Sequence, residues 1–148
     1  PSIEDEFYTP FLAEYANVNT IANDTYSLLM QASAALVTSG TATLETALFG
    51  VPEIVCYKAS AISYAIAKKL VKFKYICLVN LIMDKEVVKE LIQNELTPEN
   101  ISKELKEILF NKIKRESIEK DYEALRNLLS EGGNASANAA KIINDLLQ

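Results

Sequence analysis

Apolar and polar positions change their spacing part-way along this chain. Residues 3 to 15 read as a short helix interrupted by Pro10, and "NVNTIA" (17 to 22) has the β-branched content of a strand. Asn23 or Asp24 can cap a helix over 25 to 33, which leads into the buried-strand run "AALVT". The loop at Ser39 opens a helix over 42 to 49 that Gly50 and Pro52 stop. A strand "EIVCYK", a helix from about Ser60 to Lys72 and a strand "KYICLV" follow. Strands alternating with helices predict a parallel sheet with crossover helices, an α/β fold. Beyond Asn80 the pattern becomes helical: "DKEVVKELIQ" reads as a helix, Thr97 and Pro98 start another, and charged amphipathic segments run to the end, broken at Gly132 and Gly133.

Composition narrows the picture. Its 148 residues, 49% of them hydrophobic, suffice for one domain with a real core. Residues 1–96 read as the sheet-forming part and 97–148 as a helical tail of the same domain. Fifteen basic against twenty acidic residues, a net charge of −5, argue against a nucleic-acid partner. Cys56 and Cys77 lie in apolar runs and fit a reducing, cytoplasmic setting. No apolar run reaches the ~18 residues of a membrane span. Histidine is absent, which removes the commonest general base, and no ligand-spaced carboxylate cluster points to a metal.

Candidate chemistry gathers at strand ends. In an open parallel sheet, ligands lie outside the carboxyl ends of the strands. There, Ser39 and Thr41 hydroxyls with the first amides of a helix can hold a diphosphate, Gly40 lets the backbone come close, and Glu45 can accept from ribose hydroxyls. The alternative is that Ser39 or Thr41 merely caps the helix, with Glu45 completing its first turn. Asn80, read as a loop residue after a strand, and Gln93 offer amides able to read a base or sugar, or serve as turn and surface residues. Lys68, Lys69 and Lys72, with Lys74 beyond, form one side of a helix whose other side carries Ile62, Ile66, Leu70 and Phe73. That face suits an anionic membrane surface or an acidic substrate, or is simply solvated.

Taken together, "SGTATLETALFGVPEIVCYK", "IAKKLVKFKYICLVNLI" and "EVVKELIQ" resemble the C-terminal half of the lipid-A-disaccharide synthases, family 19 glycosyltransferases of GT-B type. The resemblance implies a Rossmann-like nucleotide-sugar-binding half, incomplete at its N-terminus, with a helical C-terminal tail. It implies UDP-2,3-diacylglucosamine as donor, with Ser39, Gly40, Thr41, Glu45, Asn80 and Gln93 as its contacts. The acceptor, lipid X, and the catalytic base would belong to the other half. No cofactor is implied. The setting would be peripheral, at the cytoplasmic face of the inner membrane, with apolar stripes in the tail that pack across onto the other half or onto a second copy of the chain. This chain departs from the family pattern at Val79, where proline is usual, and at "MDK" (83–85), where Ala-Gly-Arg is usual; Lys85 would then keep a positive charge near the phosphates. Other readings are a different GT-B enzyme, an epimerase or muramyl-type glucosaminyltransferase, or a non-catalytic helical interaction module.

Overall fold

A computed structural model describes residues 5–60, 74–131, 133 and 135–146. The chain forms two compact units, Pro1–Gln31 and Ala32–Gln148. In the first, a 3-10 turn at Asp5–Phe7 precedes helix α1 (Thr9–Leu12), and α2 spans Thr25–Gln31. Pro10 does not interrupt α1 but lies in its first turn, where no amide is needed. The strand expected over 17–22 is absent: those residues are exposed loop, and no other strand of this unit is described for them to pair with.

The second unit is built on a parallel sheet of three strands in the order β1 (Ala35–Thr38), β2 (Glu53–Tyr57), β3 (Lys89–Ile92). Val37, Val55 and Glu90 are partners in register and share one face. Helix α3 (Thr41–Leu48) joins β1 to β2 as expected. Gly50, at φ 78, turns the chain out of that helix in a left-handed conformation that favours glycine.

Two expected elements are replaced. The run 74–79 is not a strand: it turns and enters helix α4 (Leu78–Met83), capped by Cys77, whose Sγ accepts from the Asn80 amide at 3.5 Å. The expected helix over 84–93 is not one either. Asp84, at φ 48, ends α4, and residues 89–92 form β3. Lys89 and Glu90 give that stretch a solvated look in sequence, yet Glu90 is buried because distant N–H groups receive it, while Val87, Val88 and Leu91 enter the core. The helix expected over 60–72, with its lysine face, lies outside the described residues.

Helix α5 (Pro98–Phe110) starts at Thr97, whose Oγ1 accepts from the Asn100 amide at 3.2 Å, and packs on β2 and β3. Helix α6 (Lys112–Glu131) packs against α3 and α4 instead. Both contribute to the sheet's own core: Ile108, Ile118, Tyr122 and Leu125 join Ile54, Val55, Val79 and Val88. The Tyr122 hydroxyl donates to the Val51 carbonyl at 3.2 Å, fixing α6 beside the start of β2. Gly133, at φ 65, separates α6 from α7 (Ala135–Leu146), whose residues 136–146 are exposed.

Candidate functional site

Parallel strands deliver their following loops to one edge of the sheet, and Ser39, Gly40 and Thr41 after β1 and Gln93 after β3 lie at that edge. After β1 come Ser39, half-buried, and Gly40 and Thr41, both exposed. Gly40 has φ 152 and ψ −163, a conformation open to glycine, and a Cβ there would meet nothing within 4 Å. Backbone shape, not crowding, therefore demands glycine. The Thr43 hydroxyl donates to the Gly40 carbonyl at 2.8 Å and fixes the turn from within α3. The amides of Thr41 and Ala42 open the helix and have no carbonyl of their own helix to bond, so they suit an anion. Glu45 follows one turn later, exposed, and its carboxylate has no hydrogen bond or ion pair to another described residue.

Past β3, Gln93 takes φ 53 and starts a 3-10 turn. Its amide, oriented to suit, donates to the Ala59 carbonyl at 3.2 Å and accepts from the Ala59 amide at 3.0 Å. Gln93 thus ties the chain after β3 to the chain after β2, at the same edge as Ser39.

Asn80 lies elsewhere than a loop. It is in α4, fully buried, and its Nδ2 donates to the Val88 carbonyl (2.9 Å) and to Glu90 (3.0 Å), while Oδ1 accepts from the amides of Val87 (2.8 Å) and Val88 (3.0 Å). A side-chain amide has two N–H bonds and two lone pairs, so this one is fully engaged inside the protein. Lys85 precedes β3, at the strand's amino end, and pairs with Asp121 of α6. Its charge is engaged there rather than at the carboxyl edge.

Sequence reasoning missed Glu90. Its carboxylate accepts from the amides of Ile76 (3.0 Å) and Cys77 (3.1 Å) as well as from Asn80. The Ser39 hydroxyl donates to the Ile76 carbonyl at 3.2 Å. A carboxylate set among Val87, Val88, Leu91 and Ile92 was the available signal, masked by reading the stretch as a helix with a solvated face. A second carboxyl, Glu53 at the start of β2, is wholly buried with no hydrogen-bond partner for either oxygen among the described residues. Burial pushes it up to about 9, which keeps it neutral at pH 7.

The family model described as lipid-A-disaccharide synthetase matches residues 5–143. The chain belongs to the lipid-A-disaccharide synthetase family. Among curated relatives, the lipid-A-disaccharide synthase of Syntrophus aciditrophicus is 43% identical over 127 residues, 86% of this chain and 33% of that protein. That of Hahella chejuensis is 41% identical over 88% of this chain and 32% of that protein. That of Coxiella burnetii (strain CbuG_Q212) is 38% identical over 93% of this chain and 36% of that protein. The chain therefore spans about a third of the length of these lipid-A-disaccharide synthases. The three-stranded parallel sheet with flanking helices and a helical tail is consistent with a fragment of a GT-B glycosyltransferase.

Proposed function

We propose that this chain is the donor-binding part of an inverting glycosyltransferase of lipid A biosynthesis. The whole enzyme would transfer 2,3-diacylglucosamine from UDP-2,3-diacylglucosamine to lipid X, forming lipid A disaccharide 1-phosphate and UDP. The observation that carries the reading is the turn at 39–41, which opens α3 at the carboxyl end of β1 with Gly40 in a conformation that favours glycine. Family membership supports the rest.

In this reading, the amides of Thr41 and Ala42 and the Thr41 hydroxyl receive the diphosphate, with the helix dipole behind them. Glu45 receives ribose hydroxyls, and Ser39 and Gln93 border the site. Asn80 contributes through the elements it joins, since its own amide is engaged. An inverting transfer needs an attacking hydroxyl to lose its proton while the diphosphate leaves. The share assigned to this chain is stabilising the leaving charge, as fixed donors do most effectively where charge develops. The base and the lipid X site are assigned to parts of the enzyme beyond the third that this chain spans. The enzyme would work at the cytoplasmic face of the inner membrane, bound peripherally; no described helix is long and apolar enough to cross it. Ile142, Ile143 and Leu146 of α7 are exposed and would receive a second copy of the chain.

Calorimetric titration with UDP, GDP and ADP tests the donor assignment. UDP is expected to bind best, and Glu45→Ala to weaken it about tenfold without lowering stability, the effect of losing hydrogen bonds to a charged group. Equal affinity for the three nucleotides would refute it.

A further inference from the structure

Glu90 occupies a row of the sheet in which its neighbours in register are Val37 and Val55. It is 7% exposed and has no ion-pair partner among the described residues. Packing alone would favour another valine there, because a carboxylate in an apolar row must be repaid for its lost water. The return is three N–H donors from one short stretch, residues 76–80.

The peptide joining Ile76 to Cys77 is held at both ends. Its carbonyl accepts from the Ser39 hydroxyl at 3.2 Å, and its N–H donates to Glu90 Oε1 at 3.1 Å. Hydroxyl, peptide and carboxylate thus form one chain of hydrogen bonds, in which each bond orients the next. Ser39 sits at the mouth of the turn that opens α3, whereas Glu90 is buried below it. We propose that Glu90 is a positioning residue of the donor site: through the Ile76–Cys77 peptide it sets the direction of the Ser39 hydroxyl. This rests on the donor-site reading above. Glu90 itself touches no substrate; its effect on the ligand passes through Ser39.

The test uses the 148-residue chain with UDP as the probe. Glu90→Val matches the neighbouring strands in shape but leaves three N–H donors without their acceptor, while Glu90→Gln keeps the size but turns an NH₂ toward N–H donors. Each is expected to weaken UDP binding about tenfold. Ser39→Ala should lose about as much, and combining it with either Glu90 variant should cost little more than one change alone, since both break the same chain. In Glu90→Val, hydrogen exchange at the Cys77 amide should accelerate while the amides of β2 keep their protection. If the valine variant loses its fold, the glutamine variant and its double with Ser39→Ala carry the same expectations. Unchanged UDP affinity in a folded Glu90 variant, or strictly additive losses with Ser39→Ala, would overturn the role of Glu90 alone. Failure of the unmodified chain to bind UDP would overturn the donor-site reading and this inference together.

Discussion

Glu90 and Glu53 sit on the same face of one sheet, two residues of register apart, in opposite circumstances. Glu90 lies on β3 and receives two backbone amides and a side-chain amide. Glu53 lies at the start of β2, and neither oxygen of its carboxyl has a hydrogen-bond partner among the described residues. Both are buried, so the difference is not depth. Around Glu90 the chain brings its N–H groups to the carboxylate, and the result is a fixed turn beside the candidate site. Around Glu53, at the amino end of β2, no such turn forms among the described residues, and burial keeps the side chain neutral. A buried polar group organises its surroundings only when its bonds are made.

The largest effect should come from unmaking the satisfied side. Asn80→Ala leaves two amides, a carbonyl and part of Glu90 without a partner, and should cost about 4 kcal/mol. Urea unfolding measures it, and a loss under about 1 kcal/mol would show that the turn does not depend on this amide.

The unsatisfied side should respond in the other direction. Glu53 is at about 9 in the fold against an ordinary 4.5, so the folded state holds the proton more tightly. Its contribution is fully present below about pH 4.5, is lost progressively as pH rises, and levels off above about 9. By pH 7 the cost is on the order of 3 kcal/mol. Glu53→Met should therefore stabilise the chain, little at pH 5 and most near pH 9. Urea midpoints that shift by the same amount at both pH values would rule out titration of Glu53 as the source.

Smaller changes sharpen the contrast. Tyr122→Phe removes the hydroxyl that meets the Val51 carbonyl and should lower stability by about 1 kcal/mol, measured as a drop in Tm. Breaking the half-exposed Lys85 pair with Asp121 by Lys85→Ala should cost well under about 1 kcal/mol, and 1 M salt should erase most of it. A large, salt-resistant loss would mean that Lys85 has a structural role comparable to that of Asn80.

Much of the sheet was legible because its signals are local. A β-rich apolar run followed by a glycine turn placed β1 and α3, and Thr97 with Pro98 placed α5. β3 was not legible, because its four residues include Lys89 and Glu90, and what allows Glu90 to be buried lies at residues 76–80. The stretch 74–79 misled in the opposite sense. Its β-branched residues favour a strand, but it turns and enters a helix capped by cysteine, which sequence rules do not rank among good caps. The site divides along the same line. Ser39, Gly40, Thr41 and Glu45 announced themselves as a strand-to-helix turn, whereas the internal engagement of Asn80 depends on contacts with Val87, Val88 and Glu90 that no spacing rule reveals.

The sulfur that caps α4 also gives the chain a built-in chemical reporter. Burial pushes the Cys77 thiol up to about 12, so in the folded protein it stays protonated and shielded from alkylating reagents. Cys56 is only half-buried, and these two are the chain's full complement of cysteines. With no tryptophan to follow by fluorescence, thiol labelling offers a substitute: Cys56 should react first, and modification of Cys77 should wait until α4 opens. The labelling rate of Cys77 then times the opening of one short helix without introducing a foreign probe.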